Sequence, residues 1–392
     1  MTVSAEKMTT TDNEQFGLTP HSHGAGVPLS TRADREDATS VPTGREENWR
    51  FTPLKRLTGL IPGQAATGEA VVTVDAPVTV LVDTANRDDE RLGEAGRPTE
   101  YVSRLAWESF AKATVVTVPK EVVAAPTTIT VTGPGAGNVA YGHLQVRLER
   151  FAEAVVVIDH RGSGSYADNI EFVVADGAKL TVVAVHDWAD DAVHVSAHHA
   201  RLGKDAVLRH TVVTLGGGTV RISPTVNYAD KGGDAELLGL YFADAGQHLE
   251  HRTFVDHAVP NCRSNVVYKG ALQGEGARTV WIGDVLIRAA AEGTETFELN
   301  RNLVLTDGAR ADSVPNLEIE TGEIAGAGHA SATGRFDDEQ LFYLQARGIP
   351  EEQARRLVVR GFFHEVLMKI SVPEVRKRLE EAIEAELEAV GG

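Results

Sequence analysis

One histidine, His329, is a candidate metal ligand because of the small residues around it. Its neighbours include Gly326, Gly328, Ala330 and Ser331, and such small neighbours leave an imidazole room to reach a ligand. Neutral imidazole is a common ligand of iron and other borderline metals. A single histidine is a weak metal site, so this interpretation requires further ligands from a second chain. The alternative is a histidine that hydrogen-bonds a turn, and the residues alone favour that alternative.

Other groups that could do chemistry are weaker candidates. The single cysteine, Cys262, excludes an internal disulfide and any metal or cluster site built from this chain's thiolates alone. We interpret it as a packed, inert thiol. His194 and His198 share one strand face, but no carboxylate or cysteine at fixed spacing completes a metal site there, so structural roles are favoured. His251 and His257 belong to a second group of histidines.

Composition and motifs argue against several classes of function. The chain has 392 residues and a net charge of −18, and this acidity argues against unspecific nucleic-acid binding, which needs clustered cations. We expect a cytoplasmic protein, since neither a signal pattern nor a run of roughly 18 apolar residues occurs. Walker A and Gly-x-Ser-x-Gly signatures are also absent. These absences predict that the chain is not an enzyme.

The pattern of residue types divides the chain into four regions. Residues 1–43 are rich in small and polar residues and are predicted to be disordered. Residues 44–114 are of mixed character, with a helix predicted over residues 101–112. Residues 115–335 show one short β-branched strand after another. Residues 336–392 show helical spacing of their apolar residues.

A loose repeat runs through the β region. A turn residue followed by alanine precedes or begins a strand at unequal intervals, at Ala154, Ala178, Ala206, Ala235, Ala277 and Ala309. Recurrent strand–turn units without helices favour stacked coils, in which each turn buries its face on the next. A β-sandwich would also show strands at turn-punctuated spacing. Spacing alone therefore leaves both folds open.

Three runs of residues resemble a known family. The run GHASATG at residues 328–334 is similar to that family's SHGATVG element. The run DDEQLFYL at residues 337–344, with RGI at residues 347–349, follows the family's DEQLFYL and RGI elements. Near the N-terminus, ENWRFT at residues 47–52 is similar to its E-x-W element. The family is SufB/SufD, the paired subunits of the SUF iron–sulfur cluster assembly scaffold.

The resemblance implies a mainly β protein, with a right-handed parallel β-helix core flanked by N-terminal and C-terminal helical segments. Within the family, the length of the chain and the presence of His329 favour the SufD side, although Ala327 stands where SufD sequences often carry cysteine. His329 is implied to help form a transient iron–sulfur cluster at an interface with SufB. This chain alone would hold no cofactor tightly. His251 and His257 are secondary candidates, since the resemblance places them near that interface.

The resemblance also implies a scaffold that is not an enzyme and that binds a second partner, the ABC-type ATPase SufC, through its C-terminal helices. The aromatic residues of these helices exceed what two short helices can bury alone. The residues expected to bind SufC are Phe342, Tyr343, Arg347, Phe362 and Phe363.

Two other functions stay open. The first is a homodimeric structural protein without a metal role, which would pair through the same edge strands. The second is a carbohydrate-active β-helix enzyme, in which Glu318 and Glu320 would supply paired carboxylates on one strand face.

Overall fold

The computed structural model describes residues 40–336 and 338–389. Most of the segment predicted to be a disordered tail, residues 1–43, lies outside the described residues. The first described elements are two short 3-10 helices, Glu47–Trp49 and Leu54–Arg56.

Eighteen strands and four α-helices make up the rest of the described structure. The strands are β1 (Val71–Asp75), β2 (Leu81–Ala85), β3 (Ala113–Val118), β4 (Thr127–Thr132), β5 (Val139–Leu148), β6 (Glu153–Gly162), β7 (Ser165–Val174), β8 (Lys179–Trp188), β9 (Val193–Leu202), β10 (Val207–Thr214), β11 (Thr219–Tyr228), β12 (Asp234–Ala243), β13 (His248–His257), β14 (Arg263–Leu272), β15 (Arg278–Ile287), β16 (Glu295–Val304), β17 (Arg310–Ile319) and β18 (Gly326–Arg335). The helices are α1 (Tyr101–Ser109), α2 (Asp338–Ala346), α3 (Glu351–Met368) and α4 (Pro373–Ala389).

The strands form a parallel β-helix of about 8 turns. From β3 onward, successive strands alternate between two nine-stranded sheets, so that each turn of the coil contributes one strand to each sheet. The first sheet runs β1-β4-β6-β8-β10-β12-β14-β16-β18, and the second runs β17-β15-β13-β11-β9-β7-β5-β3-β2. The predicted β-helix core with flanking helices is confirmed, and the β-sandwich alternative is wrong.

The length of a turn varies along the coil. Glu153 pairs with Lys179, and Arg263 pairs with Glu295, which lies further along the sequence from its partner. Five of the six repeat alanines are fully buried, and Ala309 is partly buried against the same core. The first four lie at strands of one sheet and the last two precede strands of the other. This change of corner explains the longest interval in the repeat.

Residues of alternate strand positions fill the inside of the coil. Along β7, Tyr166, Ile170, Phe172 and Val174 face the central core, as the two-residue period of a strand requires. Asp168 shares this inner side, and Ala167, Asn169 and Glu171 point outward. The N-terminal segment and α1 cover the outer side of β7, so both of its faces are buried along the whole strand.

Each sheet is covered on its outer face by a different part of the chain. Helices α3 and α4 cover the first sheet, and Val359, Phe363 and Val366 of α3 pack against its apolar residues. The second sheet carries the N-terminal segment and α1. Helix α1 ends at Ser109, before the predicted boundary, because Phe110 is extended.

The two ends of the coil differ. At the N-terminal end, β1 and β2 pair antiparallel to β4 and β3 and close the two sheets. At the C-terminal end, β18 and β17 are the last strands of their sheets, and no described strand pairs with their far edges. Across the described residues, no helix combines the length and the apolarity that a bilayer crossing needs.

Candidate functional site

His329 lies on β18, the last strand of the first sheet, and its side chain is exposed. It pairs in register with Glu298 of β16, and neighbouring strands in register present side chains to the same side. Gly328 lies on the outer side of the sheet, where a Cβ on it would be 3.4 Å from the ring of Phe297. Successive residues of a strand face opposite sides, so His329 lies on the inner side. The imidazole is exposed because no further described turn covers it.

Glu298, which the sequence analysis did not single out, is the residue directly beneath His329. Its side chain is 3% exposed, and neither carboxyl oxygen has a hydrogen-bond partner among the described residues. Burial, followed by the charge of Asp284, raises the pKa of this carboxyl well above its ordinary value. The last turn therefore places an exposed imidazole and a buried, unpartnered carboxyl group on neighbouring strands.

His251 and His257 lie inside the coil. Both are buried, with His251 Nε2 2.9 Å from Thr214 Oγ1 and His257 Nε2 2.9 Å from Ser264 Oγ. His251 also stacks on Tyr241, with ring centroids 4.8 Å apart. Burial lowers the pKa of each ring to about 3. These rings are neutral groups in the interior of the coil.

Cys262 is also buried, beside the turn that precedes β14. Its Sγ lies 3.6 Å from the carbonyl oxygen of Pro260 and 3.7 Å from that of Asp230. Burial raises the pKa of the thiol, so the reactive thiolate form is disfavoured. These surroundings are those of a packing residue.

The aromatic residues predicted to bind a partner divide into two groups. Phe342 is 72% exposed and Tyr343 is 54% exposed, and the guanidinium of Arg347 lies 4.6 Å from the Tyr343 ring centroid. Phe363 is fully buried against the first sheet, and Phe362 is half-buried beside it. Phe342, Tyr343 and Arg347 therefore face solvent, whereas Phe363 attaches the C-terminal helices to the coil.

A second polar cluster lies deep in the coil. His160 and His186 are register neighbours on β6 and β8, and His194 of β9 and Asp168 of β7 complete the group. All four are fully buried. Burial opposes ionisation of Asp168, but its contacts with His160 and His194 outweigh burial and keep the pKa of the carboxyl below its ordinary range. Burial, then the neighbouring imidazoles, lowers the pKa of His186.

The sequence analysis missed this cluster because it compared histidines within one strand only. His194 and His198 share a strand, whereas His160 and His186 lie on different strands and are brought together by the length of one turn. Because turn length varies along the coil, no fixed spacing in the sequence signals that these two histidines are neighbours.

Comparisons with known proteins agree with the fold. Residues 130–362 match the family model described as the SUF system FeS cluster assembly, SufBD core domain. A Mycobacterium bovis protein named as an iron-sulfur cluster assembly SufBD family protein is 68% identical over 360 residues, covering 90% of this chain and 91% of its own length.

Mycobacterium leprae has two relatives with the same family name. One is 64% identical over 359 residues, covering 90% of this chain and 92% of its own length. The other is 24% identical over 242 residues, covering 62% of this chain and 28% of its own length. The matched core and the high identity lead to one conclusion: the chain belongs to the SufBD family of iron–sulfur cluster assembly proteins.

Proposed function

We propose that this chain is the SufD-type subunit of an iron–sulfur cluster scaffold. The observation that carries the proposal is the placement of His329, an exposed imidazole on the terminal strand of the coil beside the carboxyl group of Glu298. Imidazole nitrogen and carboxylate oxygen are ligands that iron accepts. Two donors do not complete a site, so the nascent cluster would take its remaining ligands from a partner.

The partner would be a SufB-type chain that pairs through β17 and β18. Each of these strands has ten residues, and each presents backbone N–H and C=O groups that lack a strand partner on the far side within the described structure. Such edges bind further strands. Mycobacterium leprae has two divergent family members, 64% and 24% identical to this chain, which is what an unlike pair requires.

The C-terminal helices would bind the ATPase SufC. Phe342 and Tyr343 of α2 and Leu357 of α3 expose apolar surface. Helices α3 and α4 attach this part of the chain to the first sheet. Exposed aromatic residues are enriched where proteins bind partners. Nucleotide chemistry would then come from SufC, and this chain would act as a non-enzymatic scaffold.

Co-expression with a SufB-type chain and SufC tests the pairing. The three chains should purify as one complex, measured by size-exclusion chromatography with light scattering. If this chain elutes apart from both partners, the scaffold proposal is wrong. If it elutes as a dimer of itself and carries no iron, the homodimeric structural function is favoured, because it uses the same strand edge.

His329→Ala tests the proposed ligand within the complex. We expect the complex to form normally and the bound iron and sulfide to fall, because the imidazole is exposed and supports no core. Ser331→Ala, a substitution on the same strand, is the matched control and should keep the wild-type iron content. Equal iron in both variants would exclude His329 as a ligand.

Phe342→Asp tests the SufC surface. A charge in an apolar contact would weaken binding, so we expect SufC to be lost while the SufB-type chain is retained. Val78→Asp is the control, because Val78 is exposed as well but lies in the loop between β1 and β2. Retention of SufC by Phe342→Asp would place the docking surface elsewhere.

A further inference from the structure

The buried polar cluster in the middle of the coil has the geometry of a metal site. The ligand atoms of His160, His186 and His194 lie within 4.8 Å of one another. His160 Nε2 is 3.5 Å from Asp168 Oδ2. The four side chains come from four successive strands, β6 to β9, and therefore from both sheets. A tetrahedral site with metal–nitrogen bonds of about 2.1 Å needs donors about 3.4 Å apart, so the donor atoms would move closer together as the ion binds.

The hydrogen bonds distinguish two kinds of histidine in the cluster. His194 is satisfied, since its Nδ1 accepts a hydrogen bond from Trp188 Nε1 at 3.1 Å and its Nε2 lies 3.2 Å from Asp168 Oδ1. In contrast, neither ring nitrogen of His160 or His186 has a hydrogen-bond partner among the described residues, and neither does Asp168 Oδ2. Buried polar atoms without partners are rare and require an explanation.

We propose that His160, His186 and Asp168 hold one divalent cation of the zinc class inside the coil. Two imidazoles and a carboxylate form a donor set that suits Zn²⁺. The cation would bond one ring nitrogen of His160, one ring nitrogen of His186 and Asp168 Oδ2, and it would offset the negative charge of the carboxylate. His194 is the positioning residue, because it fixes Asp168 through the other oxygen, as partners of metal ligands commonly do.

This site differs in kind from the site at His329. All its donors are fully buried, so the ion would enter as the chain folds and would stay until it unfolds. It would join two turns of the coil and take no part in cluster transfer. The inference is therefore independent of the proposed scaffold function.

Metal analysis of the full chain, purified natively from cells grown with added zinc, tests the inference. We expect about one zinc ion per chain, released to a colorimetric chelator only after guanidinium is added. X-ray absorption at the zinc edge should show nitrogen and oxygen neighbours at about 2.0 Å, with imidazole scattering. Wild-type protein that contains no zinc above background, or zinc with a sulfur neighbour at about 2.3 Å, would overturn the assignment.

Variants then locate the ion. His160→Gln and His186→Gln should reduce the zinc content to background. His251→Gln is the matched control, since His251 is an equally buried imidazole in another turn of the coil, and it should keep the ion. His194→Asn should keep the ion but, at the same guanidinium concentration, release it to the chelator roughly tenfold faster than the wild-type protein does. Zinc retained by both ligand variants would place the ion elsewhere and overturn the proposal.

Discussion

The middle turns of the coil and its last turn have the same architecture but expose their inner faces very differently. Strand β7 is buried along its whole length, whereas every residue of β18 is exposed or half-buried. The difference arises from stacking, because each middle strand has neighbours on both edges and β18 has only β16. The same inward position therefore makes a histidine a buried interior group in one turn and an exposed group in another.

Substitutions of charged residues are expected to show the largest difference in lost stability between the middle turns and the last turn. Glu250 of β13 is fully buried, with Arg221 Nη1 3.3 Å away and Thr52 Oγ1 2.8 Å away. Glu250→Gln should lower the free energy of unfolding by about 3 kcal/mol, since it removes the carboxylate that faces Arg221 and Arg252, and among the described residues only Arg221 keeps a second carboxylate partner, Glu100. Glu320, exposed just after β17, is the matched residue, and Glu320→Gln should leave the denaturation midpoint unchanged. Equal denaturation midpoints in the two variants would show that burial does not distinguish the charged residues of the middle turns from those of the last turn.

The same pair predicts a pH dependence. Burial raises the pKa of Glu250, but the charge of Arg221 and the contact with His248 outweigh burial and hold the pKa below its ordinary value. The stability from this carboxylate is therefore complete at neutral pH and is lost as the pH falls below about 4.3, the ordinary value for glutamate. Wild-type stability should fall more steeply between pH 5 and pH 3, roughly the range where glutamate titrates, than that of Glu250→Gln. If urea denaturation gives the same pH dependence of the free energy of unfolding for the wild type and Glu250→Gln, Glu250 is not the source of the acid-sensitive stability.

Substitutions of apolar residues should show a smaller difference in lost stability between the middle turns and the last turn. Leu237 of β12 is 1% exposed and faces the central core, whereas Leu317 of β17 is only partly buried against it. Leu237→Ala should cost about 3 kcal/mol through lost burial and a cavity, and Leu317→Ala about 1 kcal/mol, because solvent already reaches the last turn. Urea denaturation followed by circular dichroism measures both. A greater loss for Leu317→Ala would show that the last turn is covered in solution.

Substitutions of histidines should show the smallest difference in lost stability between the middle turns and the last turn. His251→Ala removes the partner of Thr214 and the ring stacked on Tyr241, and should cost about 2 kcal/mol. His329→Ala should change the free energy of unfolding by less than about 0.5 kcal/mol, as exposed substitutions usually do. Thermal and urea denaturation of both variants provide the measurement. A large loss of stability in His329→Ala would make this ring a structural residue.

The sequence predicted the fold because strand-forming residues and turn residues alternate along the whole core, and the family motifs at residues 328–344 identify the coil. It did not predict which side chains meet across turns. Turn length varies along the coil, so no fixed interval brings His160 to His186 or Glu298 to His329. Those neighbours depend on the loop lengths, which are not visible in the pattern of strands.

The aromatic residues near the C-terminus show a second limit. Phe362 and Phe363 are adjacent in the sequence, yet Phe363 is buried with Val359 and Val366 and Phe362 is half-buried. Helical spacing places Phe363 on the same face as those valines. The number of aromatic residues predicted a binding surface, but only the position of each residue around the axis of α3 separates the residues that attach the helix to the coil from those that face solvent.

The open edge of the last turn also has a consequence for the cell. Under the proposed pairing, a copy of this chain made in excess of the SufB-type subunit would keep two ten-residue strand edges that no described strand covers on their far sides, and such edges are sites of aggregation. Balanced synthesis of the two subunits would then act as a safeguard of solubility. A strain that overproduces this chain alone should accumulate it in inclusion bodies, and added SufB-type protein should restore it to the soluble fraction.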